Sequence, residues 1–408
     1  MTLSQELSWR GFVNQTTFTD IGAIDTPGMT FYFGVDPSAQ SMTIGNLATA
    51  MMVRHFIDHG HNAILLVGGA TGMIGDPDGK AEERDLKSLD EIKRNKQVIS
   101  SQYETIFNGK DFTLVDNYDW FKGIGYLSFL REIGKHVPMR QMLGRDFVQA
   151  RLSEGGAGIS YAEFSYALIQ GYDFLHLFRE HGATLQLCGS DQWGNSIAGV
   201  ELIRRIAGGE AHVWSAPLVI NKASGKKFGK NEAGAVWLDE SMTSPFAFYQ
   251  FWLNVDDEGV EDYLKIYTLL TKSEIEELMN SFASNKSDRL AQTTLAYEVT
   301  KIIHGSETAD SVVRASQVLF GDALFTDLSD DERAVLEREL PLVAYDTDPL
   351  QTLVSAQLAA SKKEARTLLE AGAISVNSQR CDLAGFDIPS GKNLVKRGKN
   401  SFAIIEKK

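Results

Sequence analysis

Thr30-Phe31-Tyr32-Phe33-Gly34-Val35-Asp36-Pro37-Ser38 decides how the rest of this chain is read. Residues 30–35 are rich in aromatic and β-branched side chains and predict a strand, which Pro37 ends because proline has no N–H for a ladder. Gly45 to His59 then follows helical spacing, and Asn62 to Gly68 reads as a second, aliphatic strand. Strand, helix and strand in that order make a βαβ unit. Strand-like runs at 112–115, 184–188 and 213–220 alternate with helical patterns at 89–107, 125–134, 161–181 and 196–206. This alternation predicts an α/β fold whose parallel sheet is covered on both faces, with ligands at the carboxyl ends of the strands.

Downstream the pattern changes. From Ser244 to about Phe320 the signals are helical, with Pro245 opening one segment, Ser273-x-x-Glu276 reading as a capping box, and Ser287 as a cap for the stretch ending near His304. Residues 329–349 carry acidic clusters and two prolines and read as a connector. Beyond it, 350–358 and 362–372 suggest short helices, 373–377 a strand and turn, and 402–405 a last strand. The expected division is an α/β domain at 1–225, a lysine-rich loop and helical domain at 226–328, a linker at 329–349 and a small α+β domain at 350–408.

A chain of 408 residues exceeds one comfortable core, which fits several domains. Its 40 basic and 54 acidic residues leave a net charge of −14, which argues against coating nucleic acid non-specifically. The tail from Leu350 is the exception, with ten Lys and Arg against five Asp and Glu, and suggests a local anionic partner. Two distant cysteines, Cys188 and Cys381, support neither a disulfide framework nor a zinc site. With no apolar run of membrane-spanning length and no leader-like start, the reading is a protein of a reducing cytoplasm with no membrane partner.

Three clusters carry chemistry. Tyr166, Gln170 and Asp173 stand four and three apart, so a helix would present phenol, amide and carboxylate on one face. Gly189-Ser190-Asp191-Gln192-Trp193-Gly194-Asn195 follows the next strand and could close a pocket for a free amino acid. The plain alternative is a solvated stripe on a surface helix. Thr43-Ile44-Gly45-Asn46 opens a helix after the first strand, and its amides suit a phosphate. The glycine-rich run 68–79, followed by Lys80 and Arg84, favours an anionic ligand over simple turns. Gly225-Lys226-Lys227-Phe228-Gly229-Lys230 suggests a mobile loop whose lysines could close over pyrophosphate, or else an ordinary basic loop.

Together these motifs resemble the bacterial-type tyrosyl-tRNA synthetases, class I aminoacyl-tRNA synthetases, over nearly the whole chain from about Thr30. Thr43-Ile44-Gly45-Asn46 stands where the family has H-I-G-H. Lys227-Phe228-Gly229-Lys230-Asn231 stands where it has K-F-G-K-S/T, and Gly189 to Asn195 is a near-identical match. The resemblance implies a Rossmann-like catalytic domain, a helical domain and an S4-like RNA-binding tail. By similarity, Tyr32 and Asp173 would bind the phenolic hydroxyl of tyrosine; Tyr166, Gln170 and Asp76 its ammonium; and Gln192 would lie near its carboxylate. Asp36, Ser38, Gly45, Thr49, Gly189, Asp191, Val219 and Ile220 would face ATP. Thr43, Asn46, Lys80, Arg84, Lys227 and Lys230 would serve the phosphates during catalysis. For tRNA(Tyr) the candidates are Lys362, Lys363, Arg366, Lys396, Arg397 and Lys399, with Arg204 and Arg205 toward the acceptor stem. Mg2+ would accompany ATP without a dedicated protein metal site, and a homodimer is carried over by resemblance alone.

Three departures stand out: Thr43 and Asn46 replace the two histidines, and Asn231 the final hydroxyl residue. Thr43 reaches less far toward a γ-phosphate, which predicts slower activation rather than altered amino-acid choice. The implied reaction forms tyrosyl-adenylate and pyrophosphate, then transfers tyrosine to the terminal adenosine of tRNA. Catalysis by alignment and charge stabilisation fits a site without a Ser/His pair. Rival readings are a tryptophanyl synthetase and a weakened paralogue that binds RNA or senses tyrosine.

Overall fold

The computed structural model describes residues 1–77, 87–144, 146–153, 155–231, 234–382, 386 and 388–408, and of residues 141, 146, 147, 230 and 231 the backbone alone. The chain divides into two compact units, residues 1–243 with 255–295 and residues 244–254 with 296–408.

The first unit is built on strands β1 (Gln15–Thr16), β2 (Thr30–Val35), β3 (Asn62–Val67), β4 (Phe112–Asp116), β5 (Leu185–Gly189) and β6 (His212–Ala216). Their order is β1-β6-β5-β2-β3-β4, parallel except for β1 at the edge. β3 and β5 are almost wholly buried, as strands covered on both faces must be, which is why they read as unbroken apolar runs. From β2 the chain winds outward through β3 and β4, then restarts at β5 on the other side. Strand order therefore reverses between β2 and β5, and the ends of both strands open a crevice there.

Helix Tyr161–His181 covers this crevice. Ser160 caps its start by accepting from the Glu163 N–H at 3.3 Å, and Gly182 ends it in a left-handed conformation at φ 67°. It packs tightly on helix Trp193–Leu202, where a Cβ on Gly199 would lie 2.8 Å from the Cβ of Phe174. That close crossing fixes how far Gln170 and Asp173 stand from the sheet.

Several expected details differ. Residues 1–10, which carry no motif, form helix Leu3–Arg10, and the buried Arg10 guanidinium donates to the carbonyls of Lys265, Thr268 and Leu270 at 2.7–3.1 Å. The capping box before residue 273 is made by Thr271 and Glu274, two residues earlier than Ser273 and Glu276, because Thr271 holds the extended conformation a cap needs. Ser287 sits in a short 3-10 turn at Lys286–Asp288 and donates to Asn285 Oδ1.

In the second unit, the helices Pro245–Leu253 and Ser306–Phe320 precede a stretch that is more than a connector. Ser329 caps helix Asp330–Glu339, and Leu342–Ala344 is a strand. After the hairpin strands β7 (Lys230–Asn231) and β8 (Gly234–Ala235) of the first unit, this strand is β9. It joins β10 (Ile374–Val376), β11 (Gln379–Cys381), β12 (Gly391–Arg397) and β13 (Ser401–Lys407) in the order β11-β10-β12-β13-β9. Prolines and acidic residues hid a strand of only three residues, too short for an alternation to show.

Candidate active site

The crevice between β2 and β5 holds a cavity of about 330 Å³, within the range of small-molecule sites. At its floor lie Tyr32 from the middle of β2 and Asp173 from the long helix. The Tyr32 hydroxyl is buried and has no hydrogen-bond partner among the described residues. Burial, and next the charge of Asp173, hold this phenol well above its ordinary value, so it stays protonated. Asp173 is pinned by two donors, the buried Asn117 Nδ2 at 3.0 Å and the half-buried Trp120 Nε1 at 2.9 Å. Burial pushes its carboxyl up to about 8, against the opposing pull of those two hydrogen bonds.

The pinning continues across the floor. Asn117 Nδ2 also reaches Thr71 Oγ1 at 3.0 Å, Thr71 donates to Asp36 Oδ1 at 2.6 Å, and Tyr166 donates to Asp36 Oδ2 at 2.6 Å. Asn117 Oδ1 accepts the Ala70 N–H at 2.6 Å, and the Trp120 indole stacks on the His176 imidazole at 4.4 Å. Sequence reading missed Asn117, Trp120 and Thr71. The one signal available was Asn117 and Trp120 standing just past a strand end, where open α/β sheets gather functional groups.

Along the wall, Gln192 donates to Asp76 and accepts from Asn195 Nδ2 at 3.0 Å. Gln170 Oε1 is buried without a partner among the described residues, an acceptor suited to an ammonium group. Cys188 also lines the cavity, and burial pushes its thiol up to about 12, so it offers no thiolate nucleophile. Beyond Asp36 the lining continues through Ser38, Thr43, Gly45, Asn46 and Thr49, then Gly189, Asp191, Val219 and Lys227. Ile220 is exposed beside this group. Lys80 and Arg84 lie outside the described residues, as do the side chains of Lys230 and Asn231.

One expectation changes. The glycines at 68 and 69 do not form an open phosphate cradle: a Cβ there would fall 2.1 Å from Asp36 Oδ1 and 2.2 Å from Asp116 Oδ1. They make room for carboxylates, and the Gly69 N–H is already donated to Asp116 at 3.1 Å. Residues 219–228 form a hairpin, with Ile220 bridged to Lys227. Its Phe228 N–H donates to the Val219 carbonyl at 2.9 Å, and the Phe228 ring stacks on Tyr263 at 4.2 Å. Gly229, at φ 102°, lets the backbone approach Ile44 and Gly45.

Arg204 and Arg205 lie in a π-helical turn at Ile203–Ala207, paired with Glu201 at 2.7 and 3.2 Å, away from the cavity. In the tail, Lys363 and Arg366 are exposed, as is Lys399. Lys362 pairs with Asp348 at 2.8 Å, Arg397 with Glu364 at 3.0 Å, and Lys396 donates to the Leu319 carbonyl at 3.1 Å. Those three already have structural partners.

The profile of the class I tRNA synthetases (W and Y) matches residues 25–321. A tyrosine–tRNA ligase of Staphylococcus haemolyticus is 42% identical, covering 100% of this chain and 99% of its own length. One from Geobacillus stearothermophilus is 40% identical over 99% of each. The chain belongs to the bacterial-type tyrosyl-tRNA synthetases. Among solved structures, a C-terminally truncated mitochondrial tyrosyl-tRNA synthetase of Aspergillus nidulans matches with a TM-score of 0.71 at 30% identity, over 78% of this chain and 94% of that one. A tryptophanyl-tRNA synthetase of Encephalitozoon cuniculi shares the fold at a TM-score of 0.55 and 13% identity, over 82% of this chain and 91% of that one. The fold is thus shared with a tryptophanyl-tRNA synthetase, and the fold alone does not say which amino acid is bound. No described helix is long and apolar enough to cross a membrane.

Proposed function

We propose that this synthetase activates L-tyrosine with ATP, releasing pyrophosphate, and transfers the tyrosyl group from the adenylate to the 3'-terminal adenosine of tRNA(Tyr). The single observation that carries the substrate is the buried, unpartnered Tyr32 hydroxyl beside Asp173. A para-hydroxyl entering there gives Tyr32 a partner, and an aromatic lacking it leaves the buried Tyr32 hydroxyl unsatisfied. The ammonium would be held by Gln170, Tyr166 and Asp76, with Gln192 close to the carboxylate.

The tyrosine carboxylate is the nucleophile and attacks the α-phosphorus in line, so the protein supplies alignment and charge. Asn46, Lys227, Lys230, Lys80 and Arg84 would meet the phosphates, while Asp191 and Gly189 face the ribose. Mg2+ would arrive with the nucleotide. The phosphates of ATP would supply its main ligands. The tail would serve as an S4-like RNA-binding domain working in the cytoplasm, with Lys363, Arg366 and Lys399 as its available cations.

A homodimer is part of this reading. Tyr126 and Tyr161 are exposed with their hydroxyls 3.4 Å apart, beside Leu127 at 78% exposure, an apolar face that a second copy would cover. Sedimentation would read the mass directly, and a monomer at micromolar concentration would refute this part. A weakened paralogue is not favoured, since relatives bearing the ligase name align end to end. The deciding experiment is exchange of labelled pyrophosphate into ATP with tyrosine, tryptophan or phenylalanine. Exchange dependent on tyrosine alone is expected, and a preference for tryptophan would overturn the assignment.

A further inference from the structure

We infer that Thr43 is a positioning residue: it acts on the nucleotide through Asn46, whose amide it holds with Nδ2 turned into the cavity. This rests on the synthetase reading above and concerns how two departures from the family signature work together.

The geometry at the start of helix Ile44–Asp58 carries the inference. The Thr43 backbone N–H lies 2.9 Å from Asn46 Oδ1, and the Thr43 hydroxyl donates to the same oxygen at 2.9 Å. A backbone N–H can only donate, so the end of the amide that faces it must be the oxygen, whichever way the side chain could otherwise flip. The planar amide then points Nδ2 away from Thr43. Asn46 lines the cavity, and with Oδ1 held by Thr43 its Nδ2 is the end of the amide left to meet a ligand. In the synthetase reading, this donor would meet a ribose or phosphate oxygen of the nucleotide.

The same bonds decide what Thr43 cannot do at the same time. A threonine hydroxyl has one proton, and phosphate oxygens accept only. That proton is already committed to Asn46 Oδ1. Turning it to a γ-phosphate would break the hold on Asn46. Nor is the backbone free to carry the hydroxyl elsewhere, because Thr43 is bridged to Trp237 and the Ile44 N–H donates to the Val236 carbonyl at 3.1 Å. Threonine therefore does not replace the family's first histidine as a phosphate contact. Thr43 and Asn46 form one device, with a single donor facing the substrate.

The test is a double-mutant cycle read by tyrosine-dependent pyrophosphate exchange at varied ATP. The wild-type enzyme comes first: no exchange there defeats the synthetase reading itself and is distinct from every result below. Asn46→Ala is expected to lower kcat/KM for ATP by about 30-fold and Thr43→Val by about fivefold, with KM for tyrosine unchanged. In the Asn46→Ala background, Thr43→Val should cost less than about 1.5-fold more, whereas with Asn46 present Thr43→Ser should recover most of the loss seen with Val. Losses that multiply would mean that Thr43 touches the nucleotide itself and would overturn the inference. Asn46→Asp guards against a folding artefact, because it keeps the oxygen that Thr43 holds while turning a carboxylate oxygen toward the phosphates. It should fold normally and be worse than Asn46→Ala for ATP; activity at the wild-type level would equally refute the proposal.

Discussion

The two ends of the cavity solve opposite problems with opposite means. At the floor, a buried carboxyl that burial drives toward neutrality is held by neutral donors from Asn117 and Trp120, themselves fixed by Thr71, Ala70 and a stacked histidine. Near the opening, partly exposed groups are held by a single helix turn in which Thr43 orients Asn46. Selecting one small hydroxyl requires atoms that cannot yield, so the floor is locked by a network. Accommodating a flexible triphosphate requires charge and donors, and a two-residue device is enough.

Perturbing the floor should therefore do more harm to tyrosine than perturbing the opening does to ATP. Asp173→Ala is expected to show the largest effect, about a hundredfold lower kcat/KM for tyrosine, with KM for ATP nearly unchanged, measured by pyrophosphate exchange. Asn117→Ala strands the Ala70 N–H and loosens Asp173. It should cost about 2–3 kcal/mol in thermal or denaturant unfolding and about 30-fold in tyrosine kcat/KM, and an effect confined to ATP would break the comparison. Trp120→Phe keeps a ring over His176 and removes the N–H; roughly tenfold is expected, again on tyrosine alone. The last effect is a slope. The Asp173 carboxyl lies at about 8 in the folded chain, above its ordinary value of 3.8, so between these limits the folded state binds the extra proton and stability falls as pH rises. Unfolding measured from pH 5 to pH 8 should lose up to about 1.4 kcal/mol per pH unit from this group, and Asp173→Asn should flatten that slope whatever its constant offset. An unchanged slope in the variant would show that Asp173 titrates as an ordinary carboxyl.

How legible each end was follows the same division. The opening announced itself in contiguous motifs, since Thr43 to Asn46, Gly189 to Asn195 and the 227–230 segment each supply several groups from one local turn. Tyr166, Gln170 and Asp173 were legible because helical spacing puts them on one face. Asn117 and Trp120 were not, because they act through a side chain 56 or 53 positions away in sequence, a contact that only the folded β4 to helix arrangement creates. The glycines at 68 and 69 were read for what they could admit from solvent, whereas they admit Asp36 and Asp116 from the chain itself. The parallel sheet came through clearly since buried strands leave apolar runs, while the helix at Leu3–Arg10 and the strand at Leu342–Ala344 were missed for want of length or pattern.

That last strand sets where the basic tail can be cut. β9 pairs in parallel with β13, matching Leu342 to Ile404 and Val343 to Ile405, and the Ile404 N–H donates to the Pro341 carbonyl at 2.8 Å. A fragment beginning at residue 350 would expose one side of β13 as an open edge, with the two buried isoleucines next to bare backbone groups. Such an edge is a template for other copies of itself, so a soluble tail for RNA-binding assays should begin upstream of Ser329.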